Sequence, residues 1–194
     1  MSARDEILSR VRAATATASA ATYAAPARSS RQGSVDLFVE RVEDYRARVE
    51  RCSSADLPER VAAAVEGCSV VVPPGLRVEV RGAVVDRGLS ALQLDAIDAV
   101  VTEATVGIAE TGTIVLDHIA GQGRRAITLV PDRHVCIVRA DQVVADVPDA
   151  VVLLDARRPH TWISGPSATS DIELNRVEGV HGPRELHVIV VERD

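Results

Sequence analysis

The chain has 194 residues and a formal net charge of −6, and 46% of its residues are hydrophobic. An acidic chain with one Trp, two Tyr and one Phe (Trp162, Tyr23, Tyr45, Phe38) offers neither the positive field nor the stacking rings of a nucleic-acid binder. No apolar run reaches the roughly 18 residues of a membrane span, and MSARDEILSR has no signal-peptide core, so a cytoplasmic protein is expected.

The elements follow in chain order. Ile7, Leu8 and Val11 in ARDEILSRVRA predict a short amphipathic helix over 3–13, and the Ala-, Ser- and Thr-rich stretch 14–34 reads as a flexible linker. Val35, Phe38, Val42, Tyr45 and Val49 recur every three or four residues and predict one helix over 35–51. Leu57-Pro58-Glu59 opens another helix to about 65, closing a helical lead-in, 35–66, to an α/β core over 67–194. SVVVPPG, 69–75, reads as a buried strand, followed by a strand near Val84-Val85, a short helix near 90–96 and a strand at 98–102. VGIAETGTIVLD, 106–117, reads as two strands about a Thr-Gly turn. AITLVP (126–131) and VCIVR (135–139) read as two more, and 147–155 fits either helix or strand. HTWIS reads as a strand, SDIELNRVEG as a helix and ELHVIVVE as a final strand, an alternation that predicts an α/β sheet covered on both faces.

The three cysteines, Cys52, Cys68 and Cys136, lack the spacing of a zinc or iron–sulfur site, so no intrinsic cofactor or metal is expected and reduced thiols are. Three polar stretches interrupt the apolar pattern. In SGPSATSDIE, 164–173, Ser170 and Glu173 fit a helix capping box. Gly165, Pro166, Ser167 and Thr169 fit either a plain strand-to-helix connection or an anion cradle beyond the carboxyl end of a strand. In Ala109-Glu110-Thr111-Gly112-Thr113, Glu110 is either exposed on a hairpin turn or a carboxylate paired inside the β region. In Gly179-Val180-His181-Gly182-Pro183, His181 is either a solvated turn residue or a general acid or base, since its pKa lies near neutrality. Gly121-Gln122-Gly123-Arg124-Arg125 is a basic loop that could meet an anion, and His118, His134, His160 and His187 show no ligand spacing.

IAETGT, LVPDRHVCIV, ISGPSATSDIE and GVHGP stand in the order and spacing of the LUD-domain proteins, and the chain resembles their lactate utilisation protein C group over about 60–194. The resemblance implies a NagB/RpiA/CoA-transferase-like α/β sheet behind an N-terminal helical extension. It also implies a part in bacterial oxidation of L-lactate to pyruvate, as the component without cluster motifs beside two iron–sulfur partners. The motifs together suggest a pocket in which Ser164, Gly165, Pro166, Ser167, Thr169 and Asp171, with Thr111, Gly112 and Thr113, hold a small anion, Glu110 acts as base or partner and His181 relays a proton. Three readings compete: a non-redox accessory subunit, a free-standing enzyme of the CoA-transferase or sugar-phosphate isomerase class using Glu110, and a ligand-sensing regulator.

Overall fold

The structure, a computed structural model, describes residues 2–17, 32–169, 177–178 and 182–192. Helix α1 (Ala3–Thr15) starts at a capping box between Ser2 and Asp5 and buries none of its residues, so its apolar stripe of Ile7, Leu8 and Val11 is exposed. Gln32 bridges to Val144 and the Gly33 amide donates to the Val143 carbonyl at 3.2 Å, so the chain joins the domain beside those two valines.

Helix α2 (Val35–Asp44) is capped by Ser34 and ends at Tyr45. Arg46 takes φ of 67°, and the chain turns into strand β1 (Arg48–Cys52). The predicted helix over 35–51 is therefore a helix and a strand. Val49 continues the helical spacing because it packs on the same apolar cluster as Phe38 and Val42, but from an edge strand bonded to the sheet.

Helix α3 (Leu57–Ala64), β2 (Val70–Val72), β3 (Val84–Val85), α4 (Ala91–Asp95) and β4 (Ala99–Glu103) follow close to their predicted places. Next come β5 (Val106–Ile108), β6 (Thr113–Leu116), a 3₁₀ turn Arg125–Thr128 and β7 (Arg133–Arg139). The 3₁₀ turn replaces the strand predicted at 126–131: Ile127 is fully buried beside Leu94 and Val100, so this short apolar run plugs the end of a cluster and pairs with no strand. A second 3₁₀ turn (Ala140–Gln142), strand β8 (Val143–Val144), α5 (Val147–Leu153), β9 (Thr161–Ile163), β10 (Ala168–Thr169), β11 (Val177–Glu178) and β12 (Glu185–Val191) complete the described elements. The predicted helix SDIELNRVEG is corrected at Val177–Glu178, which pairs antiparallel with Ala168–Thr169; its other residues lie outside the described ones.

The main sheet has six strands in the order β1-β12-β7-β4-β2-β3, every pair parallel. Both faces of its central strands are covered, so Val70–Val72, Ala99–Val101, Val135–Val138 and Val188–Val191 are continuous buried apolar runs, whereas the edge strands β1 and β3 are partly exposed. On one face Cys136, Val138, Val188 and Val190 pack against Phe38 and Val42 of α2 and against Ile114 and Leu116 of a second sheet. On the other, Val135, Ile137, Ile189 and Val191 pack against Val61 and Ala64 of α3. The second sheet has four strands, β8-β5-β6-β9, with β6 antiparallel to both of its neighbours. Among the described residues no helix is long and apolar enough to cross a membrane.

Candidate functional site: a cleft at the amino ends of the parallel strands

The β5–β6 hairpin and strand β9 bring two of the three polar stretches together. Ile114 pairs with Ile163, which sets Thr113 beside Ser164. Their hydroxyl oxygens lie 2.8 Å apart, and Thr111 Oγ1 donates to Thr113 Oγ1 at 2.8 Å. Two glycines seat this pair on α2. Gly112 (φ 58°) lies so close to the helix that a Cβ there would sit 2.6 Å from the Arg41 carbonyl carbon. Gly165 (φ 83°) meets Tyr45, whose Cβ would be 2.5 Å away. Both positions need left-handed backbone and no side chain, which only glycine supplies without strain.

The Ser167 amide then donates to the Pro183 carbonyl at 2.8 Å, which ties this loop to the Gly182-Pro183 step that leads into β12. A cleft of about 310 Å³ opens between them, walled by Thr161 to Ser167 and by Gly182 and Pro183. His134, Leu186, Leu129 and Thr128 form its remaining depth, and Arg125 stands on its wall. His134 and Leu186 begin β7 and β12, so the cleft lies at the amino ends of the parallel strands. The loop 164–169 was expected beyond carboxyl ends. It follows β9, which belongs to the second sheet and runs antiparallel to β6, and that reversal carries it to the opposite end.

Two further groups line the cleft: His134, which the sequence did not single out, and Arg125, from the basic loop that could meet an anion. His134 is 1% exposed, with Nε2 2.8 Å from Thr102 Oγ1. Burial pushes its pKa down to about 4, so the imidazole is neutral at neutral pH. Behind it, burial pushes the Cys136 thiol up to about 12, so this sulfur carries no charge either. The one sequence signal for His134 was a polar ring set inside an otherwise apolar strand. Arg125 is exposed and makes no ion pair among the described residues. Its neighbour Arg124 is committed to structure: Nε and Nη2 donate to Asp86 at 2.7 and 3.0 Å, and the buried Asp86 carboxyl is held below its ordinary pKa chiefly by that guanidinium.

Arg124→Gln is expected to lower stability by about 1–2 kcal/mol near neutral pH, since it strips a buried carboxylate of its partner. Asp86 stabilises the fold above its unfolded pKa near 4, and that contribution disappears as pH falls through its lower folded value. Urea midpoints for wild type and Arg124→Gln should therefore differ at pH 7 and converge in acid.

The loop that carries Arg125 is built from within. The side-chain oxygen of buried Gln122 accepts from the amides of Asp117 and His118 at 2.8 and 3.1 Å, and its nitrogen donates to Thr105 at 2.7 Å. His118 takes φ of 60°, donates from Nδ1 to the Gly123 carbonyl at 2.7 Å, and sets Nε2 2.9 Å from Thr161 Oγ1 at the start of β9.

Of the residues expected in the site, Ser164, Gly165, Pro166 and Ser167 line the cleft, and Thr111, Thr113 and Gly112 stand behind it. Thr169 lies in β10, paired with Val177. Glu110 is exposed, outside the lining, with its amide bonded to the Ala145 carbonyl at 3.0 Å. Asp171 and His181, and the capping box of Ser170 and Glu173, lie outside the described residues. No group of three or more potential metal ligands occurs among the described residues.

The model of the LUD domain family matches residues 86–191, more than half of this chain. The chain belongs to the LUD-domain family. It is 48% identical over 179 residues to the lactate utilization protein C of Deinococcus radiodurans, an alignment covering 87% of this chain and 84% of that protein. A shorter alignment, 34% identical, joins it to the lactate utilization protein C of Shouchella clausii over 52% of this chain and 46% of that one. A solved structure of a DUF162 family protein from Deinococcus radiodurans superposes with a TM-score of 0.71 at 43% identity, covering 80% of this chain and 94% of the other. The described lining of the cleft, from Arg125 to Leu186, falls wholly within the matched LUD domain.

Proposed function

We propose that this LUD-domain protein serves in lactate utilisation as an accessory component without a redox centre of its own, and that the cleft at the amino ends of β7 and β12 holds a small carboxylate. The names of its relatives support the first half. The observation that carries the second is Arg125, a cation with no ion pair among the described residues, on a cleft whose other described lining residues bear no charge at neutral pH. A carboxylate would pair with the guanidinium, and the uncharged donors and acceptors of Ser164, Thr161 and the neutral His134 suit the hydroxyl or keto oxygen beside it. Leu129, Ile163 and Leu186 would take the apolar end. Redox chemistry would then reside in iron–sulfur partner proteins, with this chain binding substrate, product or partner. An enzyme acting through Glu110 is the weaker reading, because that carboxylate stands exposed outside the cleft.

Calorimetric titration with L-lactate and pyruvate tests the site. Arg125→Gln should weaken binding about tenfold, the loss of one charge-assisted contact, with Tm in the absence of ligand unchanged. Equal affinity in wild type and variant would remove the cleft from consideration.

A further inference from the structure

The main sheet changes its direction of growth at β2. The chain adds β3 on one side of β2, then returns to add β4 on the other, with β7 and β12 beyond it. Such a reversal opens a crevice at the carboxyl ends of the two strands that flank it, where open α/β sheets take ligands. Glu103 ends β4 and Arg77 follows β2, so their ion pair stands across this opening. Arg77 donates from Nε at 3.0 and 2.9 Å, from Nη2 at 2.7 Å and from its own amide at 3.1 Å, all to the Glu103 carboxylate. The carboxylate is thereby occupied, whereas Arg77 Nη1 forms no hydrogen bond among the described residues. Gly121 packs against the same carboxylate: a Cβ there would lie 3.1 Å from Glu103 Oε2. Its carbonyl accepts from the Glu103 amide at 2.8 Å.

A second guanidinium, Arg139, ends β7. Its acidic neighbour Asp141 is 3.5 Å away and both side chains are about half exposed, so the pairing is weak. Arg77 and Arg139 line one cavity of about 180 Å³ with Ser54 and Gln142, over an apolar floor of Val78, Ile137 and Val191. The cavity also meets Leu57 and Pro58, where α3 begins with no side chain capping its first turn.

We propose that this crevice is a second ligand site, which takes the phosphate of a small phosphorylated molecule. Two forked guanidiniums match the several oxygens of a phosphate better than the two of a carboxylate. Glu103 is a positioning residue that fixes the plane of Arg77. At roughly six times the volume of a water molecule, the cavity admits a phosphate with a few carbons and excludes a nucleotide. It shares no lining residue with the carboxylate cleft and lies on the other face and at the other end of the strands, as Ile137 and His134 of β7 show. The two sites can therefore fail separately.

Inorganic phosphate and propyl phosphate, each titrated calorimetrically into the full chain, test the site. Saturable binding of both is expected, weakened about tenfold or more by Arg139→Gln and unchanged by Arg125→Gln. Arg77→Gln alone would leave a partly buried carboxylate unpaired and endanger the fold, so Arg77→Gln is combined with Glu103→Gln. The double variant should lose affinity to a similar degree while keeping a cooperative thermal transition. The proposal is overturned by absence of saturable binding, by affinity that neither Arg139→Gln nor the double variant changes, or by a loss in Arg125→Gln equal to that in Arg139→Gln. Binding of inorganic phosphate without propyl phosphate would also overturn it, since the site would then have no room for an organic body.

Discussion

Phe38→Ala is expected to lower the stability of the folded chain by about 3–5 kcal/mol, the usual loss for emptying a fully buried aromatic position. Phe38 is wholly inaccessible and packs in the cluster of Val138, Val188 and Ile114, where the main and second sheets meet. Its ring also presses on the second sheet so closely that a Cβ on Gly107 would lie 3.1 Å from it. The consequence reaches the cleft. Helix α2 is the shared support of both site loops, through Gly112 against Arg41 and Gly165 against Tyr45, so a helix that loses its anchor loosens Thr113 and Ser164 together. Urea unfolding should show the loss as a lower midpoint, and thermal unfolding as a Tm lower by about 6–20 °C at roughly 2–4 °C per kcal/mol. A change under 1 kcal/mol would mean that α2 is not held by this contact.

Acidification is expected to act through His134. Its pKa falls from 6.5 to about 4 in the folded chain because burial disfavours the imidazolium. Between those values the unfolded chain binds the extra proton and the folded chain does not. Stability is therefore full above pH 6.5 and declines as pH falls toward 4. From pH 7 to pH 4.5 the loss is about 2 kcal/mol at 1.36 kcal/mol per pKa unit. Denaturant titrations of wild type and His134→Gln at pH 7, 5.5 and 4.5 isolate it, because every other titrating group is common to both chains. Gln can keep a hydrogen bond to Thr102 while having no proton to gain, so its stability should fall less by about that 2 kcal/mol. Parallel pH dependences would show that His134 is solvated.

The β-branched runs at Val70–Val72 and Glu185–Val191 were legible as strands because a parallel strand buried on both faces is apolar throughout. Local spacing misled where a tertiary contact mimicked it. Val49 extended the rhythm of α2 from inside a strand, and Ile127 looked like strand while plugging a cluster end. In the site, the polar stretches at 109–113 and 164–169 were visible as interruptions of apolar runs, but nothing local joined Thr113 to Ser164. That contact spans 51 residues and is set by the register of β6 on β9. Arg124 and Arg125 are chemically identical neighbours, and distant partners, Asp86 and the Leu89 carbonyl, hold the first and leave the second for the cleft.

The sequence by itself determined the α/β alternation, the family and the places where polar, glycine-bearing loops break a valine-rich core, because burial and turn chemistry are written in residue type and short-range spacing. Only the tertiary structure decided that the loop after β9 faces the amino ends of the main sheet, that a neutral His134 lies beneath it, and that Arg77 and Glu103 meet at the point where strand order reverses. Each of these follows from which strands lie side by side and in what direction, a choice made by long-range packing of near-interchangeable apolar strands.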